Sequence, residues 1–396
     1  MGKRCQLLSE EEKSVLKTSL GKGLIVTAIV VVCYAVGALL ISTESFDPIQ
    51  NIINNYNLSD FYFRFHTASD RNDGEVIIVD ISDIDTEEDN TRSQIAALIE
   101  IIDQARPSVI GLDVFFSAAA MTSIEDNDSL IHVLQRIQTP LVAASKLKAV
   151  DEQHNRLISS FFMPLMTENS LIREGIVDFP RESKTIRTYR PVWYNEGDTL
   201  PSFAKQIADL AGIPMADNDE QELIDFADMD QHKYRSDSAK YLLDLFSDRI
   251  VLIGAINDER DLFPIPVTLN TSRKCPGVEI HKQILLTAQS GWKPKKVAQW
   301  LDILISILAV WIISVLFLFW NNFKKGKYKI RIFWFSPVVI ILIFIIGHYL
   351  FWNGTYFSMI YILTGLVLVP TSIDLMDALI KRFTNDEQQK KDSTAR

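Results

Sequence analysis

Seven carboxylates are grouped where chemistry is possible. Asp80, Asp83, Asp85, Glu87, Glu88 and Asp89 lie at and just beyond the end of an apolar run, Glu75 to Ile81, and Asp113 lies near the end of a second, Ser108 to Phe116. If both runs are parallel strands, their C-terminal ends are where such sheets bind ligands, and oxygen clusters suit a hard cation such as Ca2+. The spacing lacks the mid-loop glycine and terminal glutamate of an EF-hand, so no metal is assigned; a solvated loop, with Asp80 and Asp113 bonded to neighbouring helices, is the plainer reading. Arg64, Arg71, Arg92, Arg187 and Arg190 offer guanidinium forks for an anionic ligand, and equally for pairing with the many acids. Glu279 and His281 have the types of a general acid and base. Two residues apart on a helix they face different ways, and no activated Ser, Cys or Lys accompanies them. His348, Asp374 and Asp377 fall near the ends of apolar runs, within reach of water, as anchors rather than an ion path. The ligand-binding candidates are therefore Asp80, Asp83, Asp113, Arg92 and Arg187; no catalytic residue, metal or cofactor is expected.

What positions these residues follows from composition and patterning. The 396 residues carry 40 Lys plus Arg against 50 Asp plus Glu, a net charge of -10, with 47 % apolar residues and a mean hydropathy of +0.09. Disorder is excluded by the apolar content, and a basic nucleic-acid binder by the acidic balance. Charge and hydropathy occupy different segments. Residues 43–298 hold 41 acidic and 25 basic side chains, a balance of -16, and the remainder carries +6.

Apolar runs at 24–41, 301–320, 332–352 and 356–376 read as four transmembrane helices. The first has 18 residues without a charge, about 27 Å of helix against a hydrocarbon core of roughly 30 Å. It exceeds a signal-peptide core and is followed by no clean cleavage site, so it reads as an uncleaved anchor. Trp300 and Trp320 bracket the second like interfacial anchors, and Asn353-Gly354-Thr355 makes a turn between the third and fourth. Lys and Arg concentrate in the N-terminus 1–23, the loop 321–331 and the tail 377–396, which all fall on one side if every helix crosses. By the positive-inside rule both termini are cytoplasmic, in the cytoplasmic (inner) membrane, and 43–298 is extracytoplasmic. Of Cys5, Cys33 and Cys275 only the last lies in the exported segment, so no internal disulfide forms there.

The exported segment reads as α/β, a mixed sheet with flanking helices. Asp47-Pro48 starts a helix with Ile49, Ile52, Ile53 and Tyr56 on one face. The two apolar runs enclose Ile95, Leu98, Ile99 and Ile102 at helical spacing, stopped by Pro107: a βαβ unit with parallel strands. Ser129 to Gln138 predicts a helix, Pro140 to Ser145 a strand, Gly175 to Asp178 and Thr185 to Tyr194 strands around a polar turn. Ser202 to Leu210 is a capped helix ending at Gly212, Arg249 to Ala255 a buried strand, and Val278 to Thr287 a helix. Met215 to Asp237, acidic and aperiodic, predicts a surface excursion.

VIIVDI (76–81), RSQIAALIEIIDQARPSVIGLDVFF (92–116), GIVDFPRESKTIRTYRPVW (175–193), SFAKQIADLAG (202–212), DRIVLIGA (248–255) with DLFPIPV (261–267), and PGVEIHKQIL (276–285) stand in this order. Over about Asp47 to Gln289 the chain resembles the CHASE domain of the second type, the extracytoplasmic sensor of bacterial receptors. The resemblance implies a sensor with one transmembrane helix before it and three after it. It also implies an unknown extracytoplasmic ligand, and a homodimer as a possible state. Family members usually continue into a histidine kinase, a cyclase or a Ser/Thr kinase, whereas here 20 residues follow the last apolar run. The expectation is a non-enzymatic receptor-like protein that signals through a separate cytoplasmic or membrane effector, with no nucleic-acid partner. The alternative is an envelope scaffold or accessory membrane protein without a ligand.

Overall fold

A computed structural model describes residues 10–41, 75–84, 90–117, 124–149, 155–160, 162–163, 169–180, 185–195, 198–226, 232–266, 274–323, 328–356 and 360–394. The predicted helix after Asp47, the acids 85–89, Arg64 and Arg71 lie outside them. The chain forms two compact units, residues 63–293 and residues 1–62 with 294–396.

In chain order the elements that matter are α1 (Glu10–Ile41), β1 (Val76–Asp80), α2 (Thr91–Gln104), β2 (Val109–Leu112), α3 (Ile124–Arg136), β3 (Leu141–Ala149), β4 (Asn155–Ile158), β5 (Ile172–Ile176), α4 (Phe203–Ala211), β6 (Lys233–Arg235), β7 (Ile250–Gly254), β8 (Leu262–Pro264), β9 (Lys274–Pro276), α5 (Gly277–Ser290), α6 (Gln299–Phe323), α7 (Tyr328–Trp352) and α8 (Ile360–Thr394).

The unit of residues 63–293 is built on one sheet of order β6-β1-β7-β2-β3-β4, with β5 also on β3. All of its pairings are parallel except β3 with β4. The all-buried runs Val76–Asp80 and Ile250–Gly254 explain this, because a strand covered on both faces needs no polar alternation. Ile77, Val79 and Ile110 meet Ile95, Ile99, Leu130 and Leu134 of α2 and α3 on one face. Val76, Ile78 and Leu252 meet Phe203, Ile207, Ile280 and Ile284 of α4 and α5 on the other. The two strands of the predicted βαβ unit are parallel but not adjacent: β7, from far along the chain, inserts between them. One prediction is corrected. Met215 to Asp237 is not wholly a surface excursion: 217–220 are exposed, but Ile224 and Phe226 are buried, Glu222–Leu223 pairs with Thr188–Tyr189 and β6 adds the sheet's edge strand. Strands of two and three residues are too short to show periodicity.

In the other unit α1, α6 and α8 pack around Val26, Val30, Val310, Leu318, Val369 and Ile373. A Cβ on Gly23 would stand 2.5 Å from Val315 and one on Gly365 2.6 Å from Val310, so both glycines let the backbones close up. Three stretches, Ser14–Gly37, Trp300–Phe319 and Tyr361–Phe383, are long and apolar enough to cross a membrane. The predicted third span lies in α7, a 25-residue helix containing Pro337, whose apolar stretch among the described residues is the shorter Pro337–Trp352. Predicted as a tail, residues 377–394 continue α8 as helix. They contain neither glycine nor proline to stop it.

Candidate functional site

Three neighbouring strand ends frame the site. Asp80 is in register with Gly254, and the Asp113 N–H donates to Ile253 O at 2.8 Å, which sets Asp113 beside Gly254 on the other side. Two residues beyond Ile78 and Leu252, these positions share the α4/α5 face. The chain leaves β1 and β2 for α2 and α3 on one face, and leaves β7 for α5 on the opposite face. The connections thus diverge around β7, whose C-terminal end is a topological switch point of the kind where open α/β sheets bind ligands.

Asp80 does not present a free carboxylate there. Its Oδ1 accepts from Ser82 N (2.9 Å), Ser82 Oγ (2.6 Å) and Ile256 N (3.2 Å), tying the loop after β1 to the loop after β7. Asp83 accepts from Ser236 Oγ at 2.9 and 2.8 Å and lies 3.7 Å from Arg235 Nη2. Arg92 is buried at the start of α2. Its backbone N–H donates to Asp126 Oδ2 (3.1 Å), its guanidinium donates to Asn127 Oδ1 and to Ser117 O (2.9 Å), and it lies over the Phe116 ring at 5.6 Å. These contacts clamp α2 to α3. Arg187 stands just before the Thr188–Tyr189 ladder, where its carbonyl accepts from Ile224 N at 2.9 Å.

The acid whose charge reaches Asp113 was missed. β8 and β9 pair antiparallel with Leu262 opposite Pro276, and this ladder carries Asp261 to the first residue of α5. There Asp261 Oδ2 accepts from Gly277 N at 3.1 Å. A Cβ on Gly277 would stand 2.6 Å from that oxygen, so the seat needs glycine. Burial first, and then the charge of Asp261, pushes the Asp113 carboxyl up to about 8. Burial pushes Asp261 up to about 6, against the Gly277 N–H and the charge of Lys146. Lys146, just beyond the β3 positions paired with β2, stands 5.1 Å over Phe115. Asp258 caps the turn Glu259–Asp261 and is held below the usual carboxylate range by hydrogen bonds from Arg260. The site is thus a pair of carboxyls holding protons more tightly than usual, beside one lysine and a helix start.

Glu279 and His281 lie behind this surface. Glu279 is buried, 3.0 Å from Lys233 Nζ and accepting from Gln283 Nε2 at 3.0 Å. His281 is packed between Phe179 and Phe203, each ring centroid 4.9 Å away. Burial holds it down to about 3, so it is a neutral aromatic and not a base. Among the described residues no group of three or more His, Cys, Asp or Glu could hold a metal ion.

The chain thus joins an α/β domain built on one largely parallel sheet to three helices long and apolar enough to cross a membrane. The chain belongs to the CHASE2 domain family, whose CHASE2 domain matches residues 27–319. No curated protein and no solved structure matches it.

Proposed function

We propose that this chain is a multi-pass inner-membrane receptor. In this reading four helices cross, both termini are cytoplasmic and 43–298 is extracytoplasmic. The chain catalyses nothing itself and passes its signal to a separate effector. The observation that carries the reading is the Asp113/Asp261 pair at the start of α5. A cationic ligand there acts on the element that leads, through residues 291–298, directly into α6. Where α8 continues beyond its apolar stretch, from Phe383 to Thr394, it supplies a rigid segment for an effector to read. The engagement of Asp80, Asp83 and Arg92 in internal bonds supports the second reading, a scaffold without a ligand.

The two readings separate in a thermal-shift screen of the full chain in nanodiscs against organic amines, amino acids and inorganic cations. A compound at about 100 times its Kd stabilises the folded state by about 2.7 kcal/mol. The receptor reading expects such a rise in the parent and its loss in the Asp113→Asn, Asp261→Asn double variant. A rise that survives the double variant removes the crevice from the reading, and no rise with any compound favours the scaffold.

A further inference from the structure

The chain that leaves α5 is not a free linker. Gly291 stops α5 in the left-handed conformation, with φ 65°, and Trp292 N–H donates to Ser290 Oγ at 3.3 Å. Lys293 Nζ donates to Glu222 Oε1 at 3.3 Å, and the other oxygen of that carboxylate accepts from Tyr189 Oη at 2.6 Å. Pro294 follows, its φ fixed near about −65° by the ring. Directly after it, within the helical unit, Lys295–Lys296 pairs in parallel with Thr355–Tyr356, which lie in the connection from α7 to α8. Lys295 N–H donates to Gly354 O at 2.8 Å and Val297 N–H donates to Tyr356 O at 2.9 Å.

A two-stranded ladder this short is marginal by itself, so what holds its two sides matters. On the α7 side Gly354 turns the chain at φ 76°. Tyr356 is buried and stands edge-on to Phe351, with 6.2 Å between ring centroids. Phe351 is buried near the end of α7, whereas Val338, Ile341, Leu342, Ile345 and Ile346 of the same helix are exposed. The core packed between α1, α6 and α8 contains no described residue of α7. This helix is therefore fastened at its C-terminal end, by the ladder and the Phe351–Tyr356 contact, and stands outside the core that fixes the other three.

We propose that the ladder is a transmission joint: movement of the chain leaving α5 passes through the Lys295 and Val297 hydrogen bonds to the α7–α8 turn, and α7 is the helix that responds. The route presupposes the receptor role proposed above and does not end in α6. From Gly291 to Lys295 is four residues, at most about 14 Å of extended chain, and one of them is proline, so little slack absorbs a displacement. Val310 and Leu318 hold α6 in the bundle core, and α7 has no such hold among the described residues.

Amide hydrogen exchange of the full chain in nanodiscs, read by peptide mass spectrometry, tests the joint. Lys295→Pro removes one donor of the ladder. Gly291→Val acts at the exit of α5 alone, because a Cβ there meets nothing within 4 Å and only the left-handed backbone is strained. Each variant is expected to raise deuterium uptake in 349–356 several-fold. Uptake in 310–318 of α6 and 366–376 of α8 stays at the parent level, and so does that of β1 and β7, which reports a folded sample. Two glycines inserted between Lys293 and Pro294 are expected to abolish the effect of Gly291→Val and to spare that of Lys295→Pro. Unchanged uptake in 349–356 in either variant overturns the proposal. So does a rise spread equally over α6 and α8, or a Gly291→Val rise that survives the insertion. No ligand enters the experiment, so its failure leaves the thermal-shift result on the Asp113/Asp261 pair standing.

Discussion

His281 and Asp113 show how burial turns residue type into opposite pH behaviour. His281 is held down to about 3 from 6.5. The unfolded chain therefore binds its proton first, and the stability it contributes is whole above pH 6.5 and lost as pH falls toward 3. His281→Phe keeps a ring between Phe179 and Phe203 and has no proton to accept. Thermal melts from pH 7.5 to 4 are expected to show a shallower acid-side fall in the variant, with stability at pH 7.5 within about 1 kcal/mol of the parent; identical slopes would refute the buried neutral imidazole. Asp113 behaves in reverse. Its folded carboxyl titrates near 8, above the unfolded value of about 3.9. The folded state then holds the extra proton, and stability is whole below pH 4 and lost as pH climbs through 8. Asp113→Asn has no proton to lose, so its stability relative to the parent is expected to rise steadily as pH climbs from about 4 to 8.5, read in the same melts. A variant less stable than the parent at pH 8.5 would mean that the ionised carboxylate is doing structural service.

Among elements, those decided by neighbours in the chain were legible. Ser202 reads as a cap and accepts from Lys205 N, and Gly212 reads as the stop and has φ 72°. Ser202→Ala is expected to cost about 1 kcal/mol in chemical denaturation. A harsher outcome is expected of Gly175→Ala, because a Cβ on β5 would stand 2.5 Å from Phe203 Cα, backbone against which nothing can rotate away. Its cost is about 2–3 kcal/mol, or failure to accumulate in membranes, and a loss within 0.5 kcal/mol would show that β5 and α4 are not so close. Neither this approach nor the insertion of β7 between β1 and β2 has a local signature, since each joins segments far apart in sequence.

For the whole molecule, the four-span reading has a direct test in cysteine accessibility. In a background with Cys5, Cys33 and Cys275 replaced by alanine, Asn353→Cys is expected to react with a membrane-impermeant maleimide in intact spheroplasts. Lys325→Cys is expected to react only after permeabilisation. If α7 does not cross, both positions label from the same side. The sequence alone determined the apolar stretches, the α/β character of the acidic segment and the family. All are carried by composition, period and order, which neighbouring residues express without knowing their distant contacts. Tertiary structure alone decided what each acid meets. Asp80 and Asp83 were spent on their own loops, while Asp113 came within the field of Asp261 because an inserted strand, a short antiparallel ladder and a glycine at a helix start placed them. A carboxyl's chemistry is set by its burial and its neighbours, and those exist only once the chain has folded.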